Sequence, residues 1–103
     1  MNYFAVITTC GSEDEALRIA NHLLNEKLIA CANWWKVNSA YWWEGNCERA
    51  EEYMVFMKTV KKNLKAVESA VVTMHSYENP EVIQIPISGG SEKYLDWVKE
   101  SVK

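Results

Sequence analysis

SAYWWEGNCERAEEYMVFMK, residues 39–58, predicts a β-hairpin, and the position of this hairpin in the chain decides the fold. Residues 39–43 are predicted to be extended and residues 51–58 to form the returning strand. Between them Glu44-Gly45-Asn46 predicts a tight turn, because Gly45 can adopt a positive φ and Asn46 tolerates one. Two consecutive strands joined by so short a turn pair in antiparallel fashion.

On the N-terminal side of the hairpin the sequence predicts a strand, a helix and a second strand. Residues 3–9 are apolar and rich in β-branched side chains, as in a buried strand. After Gly11, Ser12 and Glu15 have the spacing of a helix capping box, and the helix is expected to run to about Glu26. Residues 28–35 predict the second strand, with a turn or bulge at residues 36–38 before the hairpin.

On the C-terminal side the clearest helical pattern of the chain begins near Thr59, a candidate helix cap. Its apolar residues are spaced by four and three positions, which places them on one helix face: Val60, Leu64, Val67, Val71 and Met74. Residues 75–80 then predict a loop, because Pro80 disfavours a helical conformation at the residue before it.

The last elements are a strand at residues 82–87 and a C-terminal helix. Pro86 donates no ladder hydrogen bond, so the strand is expected at a sheet edge or bulged. Ser91 is a candidate cap for the helix, and we expect four of its residues to face inward: Tyr94, Leu95, Val98 and Val102. The order β-α-β-β-α-β predicts one α+β domain over residues 1–103, a ferredoxin-like sandwich with a C-terminal helix.

The aromatic run Tyr41-Trp42-Trp43 needs a covering surface that one small core does not supply. Neighbouring residues of a strand point to opposite faces of the sheet, so the two tryptophans cannot share one core. Three interpretations remain: ordinary core packing, burial between subunits, or base stacking on an open sheet. The aromatic sequence motif of RNA-recognition sheets is absent from the strand at residues 53–58.

Composition narrows the possible partners. The chain has 11 basic and 14 acidic residues, a net charge of −3. A mildly acidic domain lacks the positive field that phosphate backbones require, so no nucleic-acid partner is expected. The three cysteines, Cys10, Cys31 and Cys47, form no C-x-x-C pair and predict reduced thiols in a cytoplasmic protein. Neither a signal peptide nor an apolar run long enough for a membrane helix is expected.

His75 and Cys10 are the candidate metal ligands. Imidazole is the commonest metal ligand in proteins, and Cys10 precedes a predicted helix N-terminus, which stabilises a thiolate. Imidazole and sulfur donors favour copper over magnesium or calcium. If they bind no metal, His75 is a loop histidine hydrogen-bonded to the backbone and Cys10 is a small residue at the end of a strand.

No catalytic constellation can be assembled from the sequence. With two histidines, no convincing Ser-His-Asp or Cys-His set is found, and phosphate-binding glycine motifs are absent. Lys58 ends an apolar strand and could meet an anion at a subunit boundary. The candidate residues for a ligand or subunit contact are Tyr41, Trp42, Trp43, Lys58, Tyr77 and Glu78.

Five segments in order give the chain a resemblance to the CutA family of divalent-cation-tolerance proteins. They are EKLIACANW (residues 26–34), YWWEG (41–45), FMKT (56–59), HSYENPEV (75–82) and YLDWV (94–98). The resemblance covers nearly the whole chain. It implies a ferredoxin-like subunit in a tight homotrimer whose neighbouring sheets cover the aromatic hairpin.

The resemblance also implies a function without catalysis. It suggests involvement in tolerance of divalent metal ions, with no obligatory cofactor and with weak copper binding in which His75 matches the recurrent histidine of the family. A different function is that of small-molecule sensors of the PII type. In that case an anion would bind between subunits near Lys58, Tyr77 and Trp42.

Overall fold

The order of secondary-structure elements is the one that the sequence predicts. The structure, a computed structural model, describes residues 2–103. These residues form four strands and three α-helices: β1 (Tyr3–Cys10), α1 (Glu13–Asn25), β2 (Cys31–Trp43), β3 (Asn46–Val60), α2 (Leu64–Met74), β4 (Ile83–Ile87) and α3 (Glu92–Ser101). The fold is therefore of the mixed α+β class. None of the helices in residues 2–103 is long and apolar enough to cross a membrane.

The four strands form one antiparallel sheet in the order β2-β3-β1-β4. β4 is an edge strand, as Pro86 predicts, and this proline lies opposite Phe4 of β1. The other edge is β2, which pairs only with β3. Both edges of the sheet are therefore open in the single chain.

β2 and β3 form one long hairpin whose register is unbroken from the Cys31–Lys58 pair to the Trp43–Asn46 pair. The expected turn or bulge at residues 36–38 is therefore wrong. The polar side chains there need no turn, because residues 37–52 extend beyond the end of β1 and pair only with each other. We call residues 37–52 the arm.

The tip of the arm is a two-residue turn with positive φ at both positions, +49° at Glu44 and +82° at Gly45. Such turns match the twist of the flanking strands. The expectation of a positive φ at Gly45 is confirmed. However, Glu44 takes the second positive φ, because Asn46 already belongs to β3 and pairs with Trp43.

Two predictions about the helices, the cap at Thr59 and the inward position of Tyr94 on the C-terminal helix, are wrong. Thr59 is not a helix cap but the penultimate residue of β3, where its hydroxyl donates to the Leu28 carbonyl across 2.6 Å. A short 3-10 turn, Lys61–Asn63, separates the strand from α2. On α3 only Val98 is fully buried, whereas Tyr94, expected to face inward, is 43% exposed.

The hydrophobic core lies between the sheet and the helices α1 and α2. Its fully buried members come from β1, β3 and both helices and include Val6, Ile19, Leu23, Val55, Met57, Val67 and Val71. The radius of gyration is 14.1 Å, compared with about 13 Å for a compact domain of ~100 residues. The arm accounts for this elongation, because it extends beyond the end of β1.

Candidate functional site

The two predicted metal ligands lie next to each other in the interior. Cys10 ends β1, and His75 is the residue at which α2 ends, so that strand and helix termini meet. Both side chains are buried, and Cys10 Sγ lies 3.8 Å from His75 Nε2. Residues 65 positions apart in sequence are thus brought into contact by the fold.

Both nitrogens of the His75 imidazole have backbone partners. Nε2 lies 2.9 Å from the Thr9 carbonyl and donates to it. Nδ1 accepts a hydrogen bond from the Tyr77 backbone N–H across 3.2 Å. In this arrangement Nε2 carries a hydrogen and donates it, whereas Nδ1 acts as the acceptor. In this conformation His75 ties the end of α2 to the end of β1.

The environment of Cys10 opposes a thiolate. Burial, followed by the negative charge of Glu15, raises the pKa of the Cys10 thiol to about 12. The expectation that the N-terminus of α1 makes Cys10 a reactive thiolate is therefore wrong, because loss of water outweighs the favourable helix field. At neutral pH Cys10 is a protonated, inaccessible thiol.

Glu15 joins α1 to the His75 loop, a role that the sequence did not reveal. One of the two hydrogen bonds of the predicted capping box is present, since Ser12 Oγ accepts from the Glu15 N–H across 3.2 Å. The Glu15 carboxylate, however, accepts from the N–H groups of Ser76 at 2.7 Å and Gly11 at 3.4 Å. Burial, the largest single influence, would raise the pKa of Glu15, but the hydrogen bonds from Ser76, the nearby His75 and the hydrogen bond from Gly11 together outweigh it, and the pKa is lowered.

The donor set fits some metal ions better than others. Within residues 2–103, no group of three or more His, Cys, Asp or Glu side chains is placed to hold a metal ion. Divalent zinc and calcium prefer four or more ligands. Cys10 and His75 therefore offer a two-ligand site at most, which suits a soft ion such as Cu(I).

A cleft of about 620 Å³ lies between the arm and the loop that follows α2. Four of the predicted ligand or contact residues line it: Tyr41, Trp42, Trp43 and Tyr77. Glu52, at the base of the arm, is 5% exposed and accepts a 2.7 Å hydrogen bond from the Tyr77 hydroxyl. Burial, followed by Glu52, raises the pKa of Tyr77. The cleft is thus aromatic and acidic.

Glu52 could have been suspected from the sequence. Glu51 and Glu52 are consecutive strand residues, and consecutive residues of a strand point to opposite faces. Glu51 forms a surface ion pair with Lys36 at 3.3 Å, whereas Glu52 is buried. The nearby Glu78 is exposed and is not among the residues that line the cleft.

Lys58 lies apart from this cleft. Its Nζ donates to Asn33 Oδ1 across 2.8 Å and to Cys31 Sγ across 3.4 Å, and the Tyr94 hydroxyl lies 3.6 Å from the same sulfur. Within the single chain, Lys58 is therefore not brought together with Tyr77 and Trp42.

Comparison with known proteins gives a consistent result over nearly the whole chain. The family model of the CutA1 divalent ion tolerance protein matches residues 4–101. The divalent-cation tolerance protein CutA of Archaeoglobus fulgidus is 41% identical over 98 residues, covering 95% of this chain and 96% of that protein. The chloroplastic CutA 1 protein of Oryza sativa is 38% identical over 95% of this chain, which spans 56% of that longer protein.

Solved structures agree in fold as well as in sequence. The structure of the periplasmic divalent cation tolerance protein CutA from Archaeoglobus fulgidus superposes with a TM-score of 0.96 at 40% identity and covers 98% of this chain and 99% of that one. CutA1 from a psychrotrophic Shewanella gives 0.93 at 39% identity, with 97% and 94% of the two chains covered. The resemblance found in the sequence is confirmed, and the chain belongs to the CutA1 divalent ion tolerance protein family.

Proposed function

We propose that this protein acts in divalent-cation tolerance as a homotrimer of ferredoxin-like subunits that binds copper weakly and catalyses no reaction. The observation that carries the proposal is the arm together with the open edge strand β2. Membership of the tolerance family supports the metal-related role. The strand order β2-β3-β1-β4 and the two core helices support the ferredoxin-like description.

Assembly is supported by the aromatic residues of β2. Five of them are exposed in the single chain: Trp34, Trp35, Tyr41, Trp42 and Trp43. Large exposed aromatic patches and long open edge strands favour association, because they present both apolar surface and unpaired backbone groups. A closed ring of three chains would cover the aromatic surface and pair the edges without forming a filament.

Weak copper binding is supported by the Cys10–His75 pair. The 3.8 Å gap between Sγ and Nε2 is close to the ~4.3 Å that metal–ligand bonds of the length found for zinc, ~2.3 Å to sulfur and ~2.0 Å to nitrogen, span in a line. Binding would displace the proton of Cys10 and the hydrogen bond from Nε2 to Thr9. Both losses oppose binding, so we expect low affinity. A pair of sulfur and imidazole ligands favours Cu(I) over a divalent ion.

The same pair supports a role without nucleophilic catalysis. A catalytic cysteine needs a lowered pKa and an accessible sulfur. Cys10 has a raised pKa and is buried, and both ring nitrogens of His75 are hydrogen-bonded to backbone groups. We place the protein in the cytoplasm because its three cysteines, all in the described residues, are free thiols.

Native mass spectrometry with added Cu(I) tests both parts of the proposal. We expect a mass of three chains and copper adducts that are lost in His75→Ala. His22→Ala is the matched control, since His22 is exposed on α1. A monomer would contradict the assembly, and adducts retained in His75→Ala would contradict the copper site. Cys10→Ser provides a second variant in case loss of the buried imidazole unfolds the chain.

A further inference from the structure

Glu52 is a buried carboxylate without a cationic partner in its own chain. It is 5% exposed, and buried carboxylates are normally paired with a cation because isolated burial of a charge is costly. Its hydrogen bond comes from the neutral Tyr77 hydroxyl. In residues 2–103, the ion pairs involve Glu15 and Glu51, and none of them involves Glu52. The charge of Glu52 is therefore not compensated within the single chain.

The proposed trimer makes the need for a cation at Glu52 greater. Glu52 lines the cleft beside the arm together with Tyr41, Trp42 and Trp43, and the described lining residues include no Lys, Arg or His. These aromatic residues belong to the surface that a neighbouring subunit covers in the trimer. Covering the cleft removes water from Glu52 and raises the cost of its unpaired charge. A basic side chain of the neighbouring subunit would remove that cost.

Lys58 lies on the same face of the sheet as Glu52. Successive strand residues alternate between the two faces, and the two side chains are six positions apart on β3, which pairs with β2 in unbroken register. Met57 points to the opposite face and is part of the core beneath the helices. The other basic residues of the four described strands, Lys36 and Arg49, belong to the face of Met57. Lys58 is thus the one basic strand residue on the face of Glu52.

The ammonium group of Lys58 has no carboxylate partner among the ion pairs of residues 2–103. It donates to Asn33 Oδ1 and to Cys31 Sγ, whereas an ammonium group has three donors. Burial would lower the pKa of Lys58, but its contacts with Cys31 and Tyr94 outweigh burial, and the pKa is raised. One N–H group and the positive charge of Lys58 are therefore available to a further acceptor.

Glu52 and Lys58 do not meet within one chain. A strand rises ~3.3 Å per residue, so six positions separate their Cα atoms by roughly 20 Å. In a closed ring of identical chains, by contrast, one surface of each subunit contacts a different surface of the next. We propose that in the trimer, on which this assignment depends, Lys58 of each subunit forms a buried ion pair with Glu52 of the neighbouring subunit. The cleft is then a docking site for a second copy of the chain.

A double-mutant cycle on the purified protein tests the ion pair. Glu52→Gln keeps an acceptor for the Tyr77 hydroxyl, and Lys58→Gln keeps a donor for Asn33. Sedimentation velocity at one protein concentration gives the urea concentration at which half of the trimer has dissociated. Each single substitution should lower this midpoint by about 1 M or more, because it leaves a buried charge unpaired. In the Glu52→Gln background, Lys58→Gln should lower the midpoint by about half as much or less.

Lys93→Gln is the matched control, since Lys93 is an exposed lysine of α3. Its effect on the midpoint should be the same in the wild-type and Glu52→Gln backgrounds. Additive effects of Glu52→Gln and Lys58→Gln would overturn the ion pair, because residues ~20 Å apart in one chain act independently. Wild-type protein that sediments as a monomer would instead contradict the proposed assembly itself, so the two failures are distinguishable.

Charge reversal gives a second test if the neutral variants fold poorly. Glu52→Lys and Lys58→Glu each place like charges together at every subunit interface, so each should release monomers in native mass spectrometry. The two substitutions combined restore opposite charges, and we expect the trimer to reappear. A combined variant that dissociates more than either single variant would overturn the proposal.

Discussion

The Tyr77 hydroxyl donates to the Glu52 carboxylate across 2.7 Å and so connects the loop after α2 to the base of the arm. The Tyr77 ring also packs on His75, with ring centroids 4.8 Å apart. A Cβ atom on Gly11 would come within 3.3 Å of Tyr77 Oη, so the glycine allows this close approach. Tyr77 therefore couples the arm to the buried Cys10–His75 contact.

Tyr77→Phe should destabilise the protein by ~1–3 kcal/mol. The substitution leaves a buried carboxylate without its donor, and unsatisfied buried polar groups cost that much. Urea unfolding at pH 7 measures the effect. Tyr94→Phe is the control, because Tyr94 is exposed on α3 and its hydroxyl makes a weak 3.6 Å contact with Cys31 Sγ rather than a bond to a buried carboxylate. A change within ~0.5 kcal/mol is expected there. Equal effects of the two variants would contradict a structural role for the Tyr77–Glu52 bond.

Glu15 should make stability depend on pH in the acidic range. Its pKa is lowered from 4.5 in the folded protein. A carboxyl group with a lowered folded pKa stabilises the protein fully above its unfolded value and loses that contribution as the pH falls through the folded value. The free energy of unfolding of wild type should therefore decrease below a pH of about 4.5.

Glu15→Gln isolates this contribution because it removes the titrating group and keeps an acceptor oxygen. Urea unfolding at pH 7 and at lower pH should give a difference between wild type and Glu15→Gln that shrinks as the pH falls. Glu26→Gln, an exposed carboxyl at the end of α1, should show no such trend. A difference that stays constant with pH would argue that Glu15 stabilises the fold by packing alone.

The sequence predicted those parts of the fold in which side-chain periodicity is set by a core. Val67 and Val71 are spaced as helix core residues and are buried, and Pro86 indicated an edge strand correctly. The length of the hairpin was missed at residues 36–38. Most residues of the arm pack against no core, so its polar residues carry little of the alternation that would distinguish strand from turn.

The sequence predicted individual residues of the candidate site but not the contacts between them. His75, Cys10 and Tyr77 were identified by residue type and by resemblance, but their mutual contacts depend on how α2 ends beside β1. The Tyr77–Glu52 bond joins residues 25 positions apart. Glu15 was identified as a helix-capping residue, and its bond to Ser76 depends on the position of a distant loop. Long-range contacts of this kind are fixed by packing and leave no local pattern in the sequence.

The three cysteines should react with iodoacetamide in the order Cys47, Cys31, Cys10. Cys47 is exposed on the arm, Cys31 is half-buried, and Cys10 is buried with a raised pKa. Alkylation requires an accessible thiolate. Peptide mass spectrometry after short exposure at pH 7.5 measures the order. In urea-unfolded protein, which serves as the control, the three rates should become similar. Modification of Cys10 as fast as Cys47 in the folded protein would contradict its burial.

The turn at the tip of the arm should respond in opposite directions to two substitutions. Gly45→Ala places a side chain at a φ of +82°, which costs roughly 1–2 kcal/mol for an L-residue. No atom lies within 4 Å of the added Cβ, so the cost is one of backbone conformation. Glu44→Asn should instead stabilise the turn, because Asn-Gly is favoured where both φ values are positive.

Hydrogen exchange of the arm amides is the suitable measurement, because the tip lies far from the core. Protection in residues 37–52 should decrease in Gly45→Ala and increase in Glu44→Asn, while protection in β1 stays the same. Gly89→Ala is the matched control, since its Cβ also meets no atom within 4 Å and its φ lies outside the positive range. An equal loss of protection in both glycine variants would contradict the turn geometry and would attribute the effect to the added methyl group.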